Sequence, residues 1–300
     1  MTSQTFASMS GKESNTDPAL VGTSSIAPES NIIRNPFIAL KGINPRNWPQ
    51  DLTIDKEICW LQDQFLPRGK LPKQNPGMPP LYCSFFLGKI RIAQQTGKTR
   101  EILYIIPELL DHIVRWLCNL NEAFLEFGVS GLLVVANDRL ETATCPTGAA
   151  VNEITVYHYI DAHHRHAFRA GMDPSDVEPP YTEQDADHID IYDLSELLLL
   201  AQNQMYLEVP TAWNDGNYTV HIIYPDSTLT RLIVITAHIP HETALAVQEG
   251  HSTMKMIRIT RDIVDIDLQA DDAQFMNTDL FRVLVGMVEH GIKVAKMTPD

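Results

Sequence analysis

Tyr218-Thr219-Val220-His221-Ile222-Ile223-Tyr224, Pro225-Asp226-Ser227-Thr228 and Leu229-Thr230-Arg231-Leu232-Ile233-Val234-Ile235-Thr236-Ala237-His238 run consecutively, and their reading decides the fold. Both flanks are rich in β-branched and aromatic residues, which suit a pleated, half-buried surface. The proline fixes one backbone angle, and the Asp, Ser and Thr side chains can bond the backbone of a turn. The stretch therefore predicts a β-hairpin, the clearest in the chain.

Working outward, Gly131–Ala136 and Glu153–Ile160 read as strands on one side of the hairpin, and Met254–Ile259 and Ile263–Leu268 on the other. Leu81–Leu87 and Lys89–Gln94 also read as extended. The second pairs with Glu101–Ile106 across Gln95-Thr96-Gly97-Lys98. Helical spacing is read at Thr53–Leu66 (Ile54, Ile58, Leu61, Phe65) and from Pro107 to Phe127, which Gly128 stops. Further helices run from Asp193 or Ser195 to Leu207, over Glu242–Glu249, and from Thr278 to Lys296, while Asp161 to Ile189 reads as irregular. The irregular order and tight turns predict an α+β protein, with mixed, mainly antiparallel sheet(s) packed with about four to five helices. Residues 1–31 are polar and poor in large apolar side chains, so they read as a disordered tail before a single domain over 32–300, with a possible subdivision near 161–192.

Charge is distributed unevenly. Between Ala170 and Thr230 no Lys or Arg occurs in sixty-one residues, while twelve acids do, so most of the chain's charge of −15 lies there. Residues 68–100 are the opposite, with seven cations (Arg68, Lys70, Lys73, Lys89, Arg91, Lys98, Arg100) and no acid. A sequence pI near 5.1 argues against nucleic-acid binding except through 68–100. No apolar run reaches membrane-spanning length and no signal-peptide pattern opens the chain. The four cysteines lie far apart, as expected of core residues in a reducing compartment, so a cytoplasmic or otherwise intracellular location is expected.

Motifs that would carry chemistry are sparse. His163-His164-Arg165-His166, with Asp187 and His188 downstream, combines imidazole and carboxylate as divalent-metal sites do. His163 and His166 would share a helix face, yet Arg165 between them opposes a cation. His158 lies upstream of this cluster. Gly97-Lys98-Thr99 lacks the earlier glycine of a phosphate loop, and His241-Glu242 lacks the second histidine of a metalloprotease helix. Pro79-Pro80-Leu81-Tyr82 fits the Pro-Pro-x-Tyr pattern taken by WW-type modules.

Complementary patches in one chain can associate head to tail. The leading expectation is a non-enzymatic, self-associating structural or interaction protein of coat or scaffold type, without a cofactor. Contacts are expected through Arg68, Lys70, Lys73, Pro79, Pro80 and Tyr82 on one side and Asp185, Asp187 and Asp190 on the other. One alternative is a divalent-metal-dependent hydrolase using His163, His166, Asp187 and His188; the other is an adaptor binding a basic protein and a WW-type module.

Overall fold

A computed structural model describes residues 32–49, 51–54, 59–72, 80–127, 132–141, 148–151, 153–172 and 189–298. The expected disordered head, residues 1–31, lies outside the described residues.

The predicted hairpin is the centre of the structure. β8 (Asn217–Pro225) and β9 (Arg231–Pro240) pair antiparallel with Val220 opposite Ala237 and Ile222 opposite Ile235. Asp226 forms the turn as its sequence predicts. Its buried carboxylate accepts from Thr228 Oγ1 at 2.7 Å and Arg231 Nε at 2.8 Å. Burial alone would raise its pKa, but these hydrogen bonds and the Arg231 charge outweigh it and hold the carboxyl below its ordinary value.

Around the hairpin a seven-stranded sheet is completed by β2 (Cys59–Asp63), β11 (Ile257–Asp265), β7 (Ile154–Tyr159), β6 (Gly148–Val151) and β3 (Leu125–Phe127). Its order is β2-β11-β9-β8-β7-β6-β3. β2 with β11 and β7 with β8 are parallel; every other pairing is antiparallel, which gives the expected mixed, mainly antiparallel sheet. Two small sheets accompany it, one of β1 (Ile32–Arg34) with β10 (Thr253–Lys255), the other of β4 (Leu132–Val135) with β5 (Asp138–Glu141).

Helices cover both faces of the large sheet. Ile222, Ile235, Ala237 and Ile259 point to one face, where α4 (Ala162–Ala170), α5 (Ile191–Tyr206) and α6 (His241–Glu249) close the core. Ile223, Val234, Leu232 and Val264 point to the other, under α2 (Cys83–Gln95), α3 (Thr99–Leu120) and α8 (Asp279–Ala295). The short α1 (Asp51–Ile54) and α7 (Asp272–Phe275) bring the helices slightly above the expected number. Each fully buried aliphatic side chain contributes roughly 1.5–3 kcal/mol, so this alternation along the hairpin fixes the register, because a slip by one residue would exchange the two faces.

Several local expectations are corrected. Leu81–Leu87, Lys89–Gln94 and Glu101–Ile106 are not strands but lie mainly in α2 and α3. Cys83, Leu87 and Ile90 recur at helical spacing and are buried, whereas Phe85 and Ile92 are 60% and 61% exposed. Those exposed apolar residues obscure the helical period. Pro107 lies inside α3 rather than in its first turn. The expected helix over 53–66 ends at Ile54, and Cys59–Asp63 instead joins the sheet edge beside β11. β11 is one continuous strand across the expected break at 260–262.

The acidic stretch also contains more order than expected. Asp161 caps α4 by accepting from His164 N, and Gly171, at φ 67°, ends it. Asp190 caps α5 by accepting from Tyr192 N at 2.8 Å and pairs with Arg169. Arg165, 2% exposed, donates from Nε and Nη2 to the two carboxylate oxygens of Asp193, each at 2.8 Å. Its guanidinium lies 4.0 Å from the Tyr224 ring centroid. Three acids of the cation-free window are thus neutralised by arginines just outside it: Asp190 by Arg169, Asp193 by Arg165 and Asp226 by Arg231.

Candidate functional site

The sheet face beneath α8 is apolar along most of its length and then changes character. Cross-strand pairing places Arg258 beside His238 and His238 beside Thr219 in one row. Thr260, Thr236 and His221 form the next row. Further along the same face come Asp262, Val234 and Ile223, and the apolar core begins. These two polar rows floor a cavity of about 400 Å³. Val283, Gly286, Met287 and His290 of α8 form its roof, and Trp213 and Asn214 one side.

Gln64–Pro67 supplies the remaining wall. This strap follows β2 and is fastened at both ends. Gln64 N donates to Arg261 O at 2.9 Å, and Gly69 N donates to Arg282 O at 2.9 Å. Between them, buried Asp262 accepts from Leu66 N at 3.0 Å and from Arg68 Nη1. The close approach to α8 requires glycine on both sides. A Cβ on Gly69 would meet Val285 Cγ1 at 2.5 Å, and one on Gly286 would meet the Pro67 carbonyl oxygen at 2.9 Å.

The polar floor is tied together by side-chain hydrogen bonds. His221 Nδ1 and Thr236 Oγ1 are bonded at 2.8 Å, and Thr219 Oγ1 and His238 Nδ1 at 3.1 Å. Asn214 Nδ2 donates to Thr219 Oγ1 at 2.9 Å. The His290 ring stands edge-to-face with His221 at 6.2 Å and tilted against Trp213 at 5.6 Å. Lys293 Nζ lies 4.3 Å from the Trp213 ring centroid.

This packing sets the histidines' charge. Burial, helped by Arg258 and His290, pulls His238 down to about 4, and burial with Lys293 does the same for His290. Burial, then the two neighbouring histidines, drives His221 well below its ordinary value. All three are therefore neutral near pH 7, each able to donate from one ring nitrogen and accept at the other. Among the described residues no carboxylate lines the cavity, and Arg258 stands exposed at its edge. A mainly apolar, partly open cavity with a few convergent polar groups and displaced pKa values has the character of a ligand site.

The residues singled out from sequence lie elsewhere. On α4, His163 is buried while His166 is exposed, so the two do not present one ligand pair. His158 is buried on β7 with Nδ1 3.3 Å from Glu196 Oε2. Asp187, His188 and Asp185 lie outside the described residues, as do Lys73 and Pro79. Among the described residues no group of three His, Cys, Asp or Glu could hold a metal ion. Arg68 is engaged with Asp262 and Asp279 in fastening the strap, and Asp190 caps α5. Pro80, Lys70 and Tyr82 are exposed.

Sequence reading passed over His221, His238 and His290. The available signal was polar residues (Thr219, His221, Thr236, His238) at alternate positions of strands buried on both faces. No helix among the described residues is long and apolar enough to cross a membrane. Comparison with family models, with curated proteins and with solved structures finds no match.

Proposed function

We propose that this protein binds a small organic molecule in the cavity between the sheet and α8. The observation that carries this reading is the interruption of an apolar core face by two rows of polar side chains beneath a partly open cavity. Buried polar groups are costly unless bonded, so a floor of two histidines and three threonines beside Arg258 is a poor way to fill a core and a good way to orient a ligand. Replacing Met287, which lines the roof, by tryptophan would fill the space. A compound screen by thermal shift should find ligands that raise the melting temperature of the natural protein and not of Met287→Trp. Ligands that stabilise both equally would refute the cavity as the site.

A second reading, self-association through residues 68–100, is supported by a different surface. Tyr82, Phe85 and Ile92 are exposed at helical spacing along α2, and Lys89 lies 4.5 Å from the Phe85 ring centroid. An apolar strip flanked by cations suits an acidic, partly apolar partner surface such as a second copy. Size-exclusion with light scattering at low and high salt tests it. A salt-independent monomer, unchanged by Phe85→Ser, would dismiss it.

A further inference from the structure

The cavity's electrostatics point beyond its existence to the class of its occupant. Its walls are mostly apolar, from Val283, Met287, Leu66 and Trp213, so most of the occupant must be apolar too. Two of those walls are flat: the indole of Trp213 and the imidazole of His290 lie near one another and favour a planar body. The polar end carries Arg258 beside His238, and Lys293 stands over Trp213. Asp262, further along the same sheet face, is buried and bonded to the Arg68 guanidinium and to Leu66 N, so its charge is compensated within the fold.

His221 adds a directional cue. It is 8% exposed and lines the cavity; Nδ1 is bonded to Thr236, and no protein group bonds Nε2 among the described residues. Among the described residues that line the cavity, Arg258 carries a charge and no carboxylate stands against it, so a cationic ligand would meet repulsion there, whereas an anion would meet Arg258 and the imidazole donors. We propose, resting on the reading of this cavity as a ligand site, that its occupant is a small organic acid. The carboxylate is set against Arg258 and His238, and a planar apolar body lies among Trp213, His290 and Met287.

Three probes of nearly equal size separate the possibilities: benzoate, benzamide and benzylamine, titrated by ligand-observed NMR into the full chain. Benzoate should bind with a dissociation constant on the order of a millimolar, as a fragment of that size allows. Benzamide should bind about tenfold or more weakly, and benzylamine more weakly still, since a hydrogen bond to a charged group is worth about a factor of ten or more. Arg258→Gln, at an exposed position, should weaken benzoate about tenfold and benzamide by a smaller factor, since the amide loses a neutral hydrogen bond and not a charged one. Equal binding of benzoate and benzamide, preference for benzylamine, or an unaltered benzoate affinity in Arg258→Gln would overturn the acid while leaving the cavity reading standing. If no probe binds the natural protein more tightly than Met287→Trp, the cavity reading fails as well.

Discussion

Acidification should unfold this protein through the cavity histidines, and the size of the effect follows from the structure. His238 and His290 sit at about 4 in the folded state against an ordinary value of 6.5. A histidine whose folded value is depressed binds fewer protons folded than unfolded between those limits. Its neutral burial therefore costs little near pH 7, and stability is lost as pH falls through the unfolded value toward the folded one. From about pH 7 to about pH 5 the loss is roughly 2 kcal/mol for each of the two, or about 4 kcal/mol together. That is a large share of the 5–15 kcal/mol typical of a folded domain.

Other groups titrate in this window, and Asp111 acts in the opposite sense. Burial raises it to about 6 against the hydrogen bond from Tyr157, so its folded form takes up a proton first and gains stability on acidification. The assay must therefore compare variants. Urea denaturation at steps between about pH 7 and about pH 5 should be run on the natural protein and on His238→Gln/His290→Gln, in which Asp111 is unchanged. The natural protein should lose about 4 kcal/mol more than the variant over this range. Parallel pH curves for the two proteins would refute the reasoning, because they would mean that these imidazoles titrate alike folded and unfolded.

Gly286→Ala should destabilise by about 1–3 kcal/mol, since its Cβ would press on the Pro67 carbonyl oxygen and lift the strap, whereas Gly88→Ala, with open space around it, should stabilise by about 0.5–1 kcal/mol. Chemical denaturation checks both. Arg165→Met should cost about 3–5 kcal/mol because it leaves the Asp193 carboxylate buried without its partner, and adding Asp193→Leu should restore most of that loss. A double variant no more stable than the single one would contradict this assignment. Phe85→Ser should shift any salt-dependent oligomer toward monomer in light scattering, with little effect on the melting temperature, because Phe85 is largely exposed.

The hairpin was legible because local signals and burial agree there. Val220, Ile222, Ile233 and Ile235 alternate inward, and Asp226 supplies the turn's hydrogen bonds. The terminal helix was legible for the same reason, with Leu280, Val283, Leu284, Met287 and Val288 on one buried stripe capped by Thr278. Residues 81–106 were misread because α2 carries Phe85 and Ile92 on its solvent side, so apolar residues there do not mark the core. Cys59–Asp63 was misread because pairing with β11 overrides a local helical spacing, a tertiary effect no short window contains.

The cavity was hidden for a related reason. His221, His238, Thr219 and Thr236 come from two strands, Arg258 and Thr260 from a third, and His290 from the helix α8 that follows them. Only the sheet register brings them into adjacent rows. The histidine cluster at 163–166 drew attention because its members are adjacent in sequence, yet helix geometry turns His163 inward and His166 outward. The acidic window likewise appeared as one pole of a charged molecule. Several of its acids are internal, though, and answer arginines placed just beyond its limits.

The most direct test of the cavity as the functional centre is imidazole-ring NMR at neutral pH during titration with a ligand selected by the thermal-shift screen. The ring resonances of His221, His238 and His290 should move together along one binding curve, while those of exposed His166 and His251 stay in place. Movement confined to His166 and His251, or none at the three cavity histidines, would contradict the cavity reading.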